Sequence, residues 1–190
     1  EVQGRLVGAD HAFGAVTTDT RALAAGSLFV AIPGDRFDGN DFVDEAQAKG
    51  AAGALVSRLA ASPLPQIEVR DSRRALGAMA RAWRASFTIP VVAVTGSSGK
   101  TTVKELISSI LGVSRSVCVT QGNLNNDIGV PLTLMRLTAE HDAAVIELGA
   151  NHAGEIDYLA SLAQPTVGVI TNAAAAHLEG FGSLRGVCVA

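Results

Sequence analysis

The second half of the chain alternates short apolar runs with segments of helical spacing. β-branched or apolar runs predict strands, and apolar residues three and four positions apart predict helices. The predicted strands are Val91–Thr95, Val117–Thr120, Ala143–Leu148 and Val167–Thr171. The predicted helices are Thr101–Leu111, Val130–Leu137 and Glu155–Ala163. Repeated strand–helix–strand units imply a mostly parallel sheet that is covered on both faces.

The first half has shorter elements, separated by polar and proline-bearing loops. The pattern predicts strands at Leu28–Ile32, Ala54–Ser57 and Gln66–Arg70, and a short helix over Phe42–Lys49. A longer helix begins at a cap, Asp71 or Ser72, and ends near Thr88. We therefore predict an α/β protein, with a small mixed α/β domain over residues 1–88 and a mostly parallel-sheet domain over residues 89–190.

Two helices have an apolar stripe along one face, and the stripe of the longer helix is predicted to belong to the core. In the longer helix the stripe consists of Leu76, Met79, Ala80, Trp83 and Phe87. In the helix that begins at Thr101 it consists of Val103, Leu106, Ile107, Ile110 and Leu111. Such stripes at helical spacing are typical of packing against a sheet.

Composition narrows the class of protein. The 190 residues are 48% hydrophobic and 17% charged, and the net charge is −3 without a long basic run. Without such a run, we expect no nucleic-acid partner. We also expect no insertion into a membrane, because no apolar stretch nears the roughly 20 residues that a membrane helix needs. The first residues resemble neither a signal nor a transit peptide and read as a start within a longer chain. Cys118 and Cys188 are predicted to be free thiols in the cytoplasm.

The polar segments that follow the predicted strands are the strongest functional feature. They are TGSSGKTT, TQGNLNNDIG, ELGANHAGE and TNAAAAHLEGFG. Because the carboxyl ends of parallel strands meet at one edge of a sheet, these four segments should lie close together. The sequence predicts a ligand site at that edge.

The first segment has the features of a phosphate-binding loop. Gly96 and Gly99 allow backbone N–H groups to point at an anion, and the helix that follows adds its N-terminal donors. Lys100 can reach β- and γ-phosphates, and Thr101 or Thr102 can place a hydroxyl on Mg²⁺. Val94 occupies the position of the first glycine in the strict GxxxxGK[ST] pattern. The alternative, a tight turn with a solvated lysine, does not require the Lys-Thr-Thr sequence.

Several polar residues on the same edge are further candidates. Glu147 is an acidic residue in an apolar strand, and a metal ion or a structural ion pair would compensate its burial. His177 follows the last strand and is a candidate ligand, whereas His152 is as compatible with a capping role as with a catalytic one. His11 and His141 are given no role. The asparagines Asn123, Asn125 and Asn126 form either a substrate-contacting loop or an ordinary turn.

At these residues the sequence resembles the Mur ligases of peptidoglycan synthesis. TGSSGKTT resembles their variant phosphate loop, which lacks the first glycine. The segments GNLNNDIGVPLTL, AVIELGANHAGEI and TNAAAAHLEGFGSL resemble the members that add D-alanyl-D-alanine to UDP-N-acetylmuramoyl-tripeptide. In the first half, TTDTRAL and GSLFVAIPGDRFDGNDF resemble the family's uridine-nucleotide-binding domain. The resemblance runs over essentially the whole chain.

The resemblance implies an ATP-dependent amide ligase that uses Mg²⁺ and forms an acyl phosphate. It implies that residues 1–88 bind the UDP substrate and that residues 89–190 are the N-terminal part of a P-loop-type ATPase domain. Lys100, Glu147 and His177 would be the catalytic group, and Thr101, Glu147 and His177 the metal ligands. The implied ATP-binding residues are Thr95, Gly96, Ser97, Ser98, Gly99, Lys100, Thr101, Thr102 and Asn172. The implied substrate-binding residues are Thr17, Thr18, Asp19, Thr20, Arg21, Asn123, Asn125 and Asn126.

The chain departs from the family in extent. The resemblance implies a carbamylated, metal-binding lysine one position after Ala190, the rest of the central domain, and a third domain that brings the D-alanyl-D-alanine site. A monomer is expected. Three alternatives stay open: a ligase that adds a single amino acid, including a folate polyglutamylating enzyme; a small-molecule kinase; and a non-catalytic module that binds a UDP-sugar peptide.

Overall fold

The computed structural model describes residues 3–34, 36–174, 178–183 and 186–187. The chain divides into two compact units, Glu1–Met79 and Ala80–Ala190. The division falls within a helix, Ser72–Ala85. The predicted functional assignment of the domains, with a boundary near residue 88, stays a prediction.

The first unit contains a five-stranded mixed sheet. Its strands are β1 (Gly4–Val7), β2 (Val16–Thr17), β3 (Leu28–Val30), β4 (Gly53–Val56) and β5 (Gln66–Val69). They lie in the order β1-β5-β4-β3-β2, in which β1 is antiparallel to β5 and the other pairs are parallel. The sequence pattern did not predict β1 or β2. Strand β1 is exposed along its length and has little apolar signal, so its pairing with β5 defines it.

Two helices accompany this sheet. A short helix, α1 (Val43–Ala48), follows a 3₁₀ turn over Gly39–Phe42. Helix α2 (Ser72–Ala85) is capped by Asp71, whose Oδ1 accepts a hydrogen bond from the Arg74 N–H at 3.0 Å. The Ser72 hydroxyl instead donates to the Ala31 carbonyl at 2.6 Å. Of the two predicted caps, Asp71 is therefore the one that takes this role.

The second unit contains a four-stranded parallel sheet. Its strands are β6 (Val91–Thr95), β7 (Val117–Val119), β8 (Ala143–Glu147) and β9 (Val167–Ile170), in the order β7-β8-β6-β9. Its helices are α3 (Lys100–Gly112), α4 (Gly129–Leu134), α5 (Glu155–Ala163) and α6 (Leu178–Phe181). The α/β class and the mostly parallel second sheet are confirmed. Strand β8 is central and buried at every position.

The apolar stripe of helix α3 is only partly buried: Val103, Ile107 and Leu111 are half-buried. Leu106 and Ile110 are 58% and 71% exposed, whereas Lys104 is fully buried against the sheet. The inward face is therefore rotated from the apolar stripe toward Lys100 and Lys104. In helix α2 the prediction is right for Leu76 and Ala80, which are buried. Trp83 stays partly exposed and donates its indole N–H to the Leu137 carbonyl at 3.0 Å.

Among the described residues, no helix combines the length and the apolar character needed to cross a bilayer. Cys118 is buried and free, and burial raises the pKa of its thiol. Cys188 lies outside the described residues.

Candidate functional site

The site lies at the carboxyl edge of the second sheet. All pairs in the order β7-β8-β6-β9 are parallel, so Thr95, Thr120, Glu147 and Thr171 stand at or just beyond strand ends on the same edge. This is the edge at which ligands bind in open α/β sheets. The structure thus brings together the four polar segments that follow the predicted strands.

The loop from Gly96 to Gly99 joins β6 to helix α3. Gly96 and Gly99 have φ angles of +134° and +77°, a region that favours glycine. Helix α3 begins at Lys100, so its first N–H groups lie at the loop. The ammonium of Lys100 donates to the Gly96 carbonyl at 2.6 Å. The lysine therefore folds back over the loop, where it and the helix N-terminus can bind an anion.

The loop is bonded to the segment that follows β9. Ser97 N–H donates to the Asn172 carbonyl at 3.0 Å, and Ser98 N–H donates to the Asn172 side-chain oxygen at 3.2 Å. The Thr171 hydroxyl donates to the Ser98 carbonyl at 2.6 Å. The Asn172 amide donates to the Ser98 hydroxyl at 3.0 Å. Asn172 therefore holds the loop in place, in addition to any contact that it makes with a ligand.

We expect Gly96→Ala to destabilise the protein. A Cβ at residue 96 would collide with the Thr171 hydroxyl and would lie 2.9 Å from the Asn172 carbonyl oxygen. Together with the positive φ, this strain should cost about 1–3 kcal/mol and lower the thermal midpoint of the full-length gene product by several degrees. Gly112→Ala is the matched control, because a Cβ there meets nothing within 4 Å. An equal thermal midpoint for the two variants would contradict the close approach at Gly96.

Glu147 is the buried acidic residue of the site. It is 2% exposed. Its Oε2 accepts from the Thr101 hydroxyl at 3.0 Å, and its Oε1 accepts from the Asn125 amide at 2.8 Å. Its N–H donates to the Thr120 hydroxyl at 2.9 Å. The carboxylate is therefore held against the first turn of helix α3, next to the candidate phosphate loop.

Thr101 and Glu147 are suited to a hard divalent cation. Their side chains supply a hydroxyl and a carboxylate, and Mg²⁺ in phosphate sites takes one or two protein carboxylates plus phosphate oxygens and water. Within the part of the chain that the structure describes, no group of three His, Cys, Asp or Glu residues could form an all-protein metal site. A third ligand was predicted at His177, which lies outside the described residues.

The three asparagines after β7 have different environments. Asn125 bonds Glu147, and its carbonyl accepts from the Gly149 N–H at 2.8 Å. Asn126 turns back on the chain, where its Oδ1 accepts from the N–H groups of Ile128 and Gly129, just before helix α4. Asn123 is exposed. Of the three, Asn125 is the one that the structure joins to Glu147, while the Asn126 side chain supports the local backbone.

In the first unit, the predicted substrate-binding residues 17–21 form a turn that is held by local hydrogen bonds. The Thr17 hydroxyl accepts from the Asp19 N–H at 3.1 Å, and Asp19 caps a 3₁₀ turn over Thr20–Ala22. The Arg21 guanidinium lies 2.7 Å from Asp19, and hydrogen bonds from its side chain and backbone lower the pKa of Asp19 to about 2. Thr18 is half-buried and Thr20 is buried. Arg21 is thus held in a fixed position while 86% of its side chain stays exposed.

The remaining candidates have less specific surroundings. Thr95 ends β6, and its carbonyl accepts from the Thr171 N–H at 2.9 Å. Thr102 is exposed on the first turn of α3. His152 is exposed and lies 3.1 Å from Glu155, whose carboxylate also accepts the N–H groups of Asn151 and His152. His152 therefore belongs to the start of helix α5.

Sequence reasoning missed three residues of this edge: Lys104, Thr120 and Thr171. Both threonines directly follow a strand, which is the position that drew attention to their neighbours. Lys104 lies three positions after Thr101 on helix α3 and is not part of the apolar stripe that was recognised there. Its ammonium donates to the Thr120 carbonyl at 2.9 Å and lies 3.9 Å from Glu147 Oε2.

Known proteins resemble this chain over its whole length. The UDP-N-acetylmuramoyl-tripeptide--D-alanyl-D-alanine ligase of Escherichia coli K12 is 56% identical over 189 residues, which cover 100% of this chain and 42% of that protein. A crystal structure of MurF from Acinetobacter baumannii superimposes with a TM-score of 0.87 at 45% identity, over 91% of this chain and 38% of that one. The structure of MurF ligase from Thermotoga maritima in complex with ADP gives a TM-score of 0.83 at 37% identity, over 92% and 41%.

The chain therefore spans about two fifths of the length of the relatives that it matches. Residues 13–84 match the model described as the Mur ligase family, catalytic domain. Residues 94–190, which include the candidate phosphate loop, Asn125 and Glu147, match the model of the Mur ligase middle domain. The chain belongs to the Mur ligase family.

Proposed function

We propose that the protein carrying this chain is an ATP-dependent amide ligase that joins D-alanyl-D-alanine to UDP-N-acetylmuramoyl-tripeptide. The observation that supports this most lies at one sheet edge, where Thr101 follows the candidate phosphate loop in the chain and Glu147 accepts hydrogen bonds from Thr101 and Asn125. The named activity of the relative at 56% identity supports the choice of substrates. The ADP complex of the Thermotoga maritima protein supports the use of ATP.

The proposed reaction has two steps. A carboxylate oxygen of the tripeptide attacks the γ-phosphorus of ATP, which gives an acyl phosphate and ADP. The amine of D-alanyl-D-alanine then attacks the acyl carbon, and the tetrahedral intermediate loses phosphate and a proton to give the amide. Both steps bring anionic or electron-rich groups together, so positioning and charge compensation are what the protein must supply.

The residues of this chain have corresponding roles. Lys100 and the N–H groups of the loop would bind the β- and γ-phosphates, which requires Lys100 to leave the Gly96 carbonyl. Thr101 and Glu147 would hold Mg²⁺, together with His177 as the family resemblance implies. Neutralisation of phosphate charge is the chemistry that this ion supplies when it is bound. Asn125 would keep the Glu147 carboxylate turned toward Thr101.

The first unit would bind the UDP part of the substrate. Arg21 is the candidate for a phosphate or uracil contact, because its guanidinium is exposed and is held by Asp19. The turn that holds Arg21 in place would be formed by Thr17, Thr18, Asp19 and Thr20. A monomeric, cytoplasmic enzyme without nucleic-acid or membrane partners stays a prediction.

The decisive experiment supplies the purified full-length gene product with ATP, Mg²⁺ and UDP-N-acetylmuramoyl-tripeptide. We expect phosphate release with D-alanyl-D-alanine and none with a single amino acid. Release with a single amino acid alone would contradict the substrate assignment and favour another Mur-type ligase. A stable phosphorylated product without any amine would favour a kinase, and binding without turnover would favour a non-catalytic module.

A further inference from the structure

Helix α3 buries a charged residue where an apolar one would be expected. Lys104 is 0% exposed, while Leu106 and Ile110 on the same helix are largely exposed. Burial of an ammonium group is costly unless it is paired and hydrogen-bonded. The inward orientation of Lys104 therefore requires specific partners rather than hydrophobic packing.

Three acceptors surround the Lys104 ammonium. Its Nζ lies 2.9 Å from the Thr120 carbonyl and 2.9 Å from a carboxylate oxygen of Glu105. The third is Oε2 of Glu147 at 3.9 Å, a distance that is ionic rather than hydrogen-bonded. The lysine thus connects helix α3 to the end of β7 and stands beside the end of β8.

Lys104 acts on the same carboxylate oxygen as Thr101. Both residues lie on one face of helix α3, three positions apart, and Glu147 Oε2 accepts from the Thr101 hydroxyl at 3.0 Å. Thr120 closes the arrangement, because its carbonyl accepts from Lys104 and its hydroxyl accepts from the Glu147 N–H. Helix α3 and the ends of β7 and β8 are therefore tied together around Glu147.

We propose that Lys104 is a positioning residue of the nucleotide site, which fixes the Glu147 carboxylate against Thr101 and so sets the pair of oxygens that receives the divalent cation. Its complete burial prevents direct contact with the nucleotide. The inference rests on the proposed ATP-dependent activity, and it adds a residue that acts through Glu147.

The effect of removing Lys104 on Mg²⁺ binding has opposite signs for a charge effect and for a positioning effect. A positive charge beside a cation site repels the cation, so simple removal of the charge should tighten Mg²⁺ binding. Loss of positioning leaves the Thr120 carbonyl without its donor and lets Glu147 turn away from Thr101, which should weaken Mg²⁺ binding. The direction of the change in Lys104→Met therefore distinguishes the two.

The experiment measures Mg²⁺-dependent ADP binding by calorimetry, and phosphate release in parallel, for the full-length gene product. We expect Lys104→Met to raise the half-saturating Mg²⁺ concentration for both by about 10-fold or more, as loss of outer-shell partners of metal ligands generally does. The KM for D-alanyl-D-alanine should change little. Lys104→Arg keeps the positive charge but changes the shape of the side chain. Its half-saturating Mg²⁺ concentration should lie between those of wild type and Lys104→Met. Arg115→Met, which removes an exposed cation just after helix α3, is the matched control.

Two results with Lys104→Met would overturn the proposal. One is a lower thermal midpoint with an unchanged Mg²⁺ requirement, which would make Lys104 structural only; the other is tighter Mg²⁺ binding. If Lys104→Met does not fold, the Arg variant decides, and a wild-type Mg²⁺ requirement in that variant would count against positioning. Wild-type protein that binds ADP with Mg²⁺ but releases no phosphate would count against the ligase activity alone. Wild-type protein that shows no Mg²⁺-dependent ADP binding would overturn the Lys104 proposal as well.

Discussion

Lys100→Ala is expected to reduce turnover of the full-length gene product by a factor of about a thousand or more, the usual size for a cation that stabilises a transferring phosphoryl group. Lys100 stands at the first position of helix α3, and its ammonium covers the loop by bonding the Gly96 carbonyl at 2.6 Å. During transfer, a cation at this point stabilises the negative charge on the γ-phosphate. The measurement is kcat for phosphate release with ATP, UDP-N-acetylmuramoyl-tripeptide and D-alanyl-D-alanine all saturating.

The fold should survive this substitution. Lys100 is only half-buried, its ammonium bonds the Gly96 carbonyl, and alanine is a strong helix former. The loss of one such hydrogen bond costs about 1 kcal/mol, so the thermal midpoint should fall by no more than a few degrees. Arg115→Ala, which removes an exposed cation just after the same helix, serves as the control. Wild-type turnover in Lys100→Ala would refute the phosphate role.

The parallel sheet of the second unit could be predicted because its signals are local. Val91–Thr95 and Ala143–Glu147 are apolar runs long enough to define buried strands without knowledge of their partners. Once the strands are taken as parallel, the meeting of their carboxyl ends follows from geometry. The proximity of the candidate phosphate loop to Glu147 could therefore be predicted from the sequence, whereas the hydrogen bond from Thr101 to Glu147 could not.

The inward face of helix α3 could not be predicted, because its partners come from other elements. Local periodicity favoured the stripe that contains Leu106 and Ile110. The buried position of Lys104 depends on the Thr120 carbonyl at the end of β7 and on Glu147 at the end of β8. A single sequence does not show that these groups surround one helix face. Strand β1 is similar, because its pairing with β5 joins distant parts of the chain.

The asparagine loop was predicted as a unit, but the structure separates its members. Asparagine side chains commonly accept from the backbone N–H groups two or three residues later, and Asn126 does so with Ile128 and Gly129. The pattern could have been found in the sequence. The bond from Asn125 to Glu147 could not, because it requires the relative placement of β8 and the loop after β7.

Glu147→Gln is expected to reduce turnover by a factor of about one hundred or more, since it removes the charged ligand of the proposed cation site and keeps the side-chain shape. The amide can still bond Thr101 and Asn125, so lost turnover would reflect the charge rather than a collapsed loop. The measurement is kcat as a function of Mg²⁺ concentration. Glu140→Gln, at an exposed position of the same unit, is the control. A wild-type Mg²⁺ requirement in Glu147→Gln would contradict the ligand role.

The same substitution should also destabilise the protein, because it leaves the buried Lys104 beside a neutral group. The cost should stay below the roughly 3–5 kcal/mol typical of breaking a buried ion pair, since Glu105 remains 2.9 Å from the ammonium. Adding Lys104→Met to Glu147→Gln removes the buried charge that has lost its Glu147 partner. The thermal midpoint of the double variant should therefore be higher than the sum of the two single effects predicts. Its turnover should stay as low as that of Glu147→Gln. The cycle compares wild type, the two single variants and the double variant. Additive changes in thermal midpoint would show that Lys104 and Glu147 do not interact.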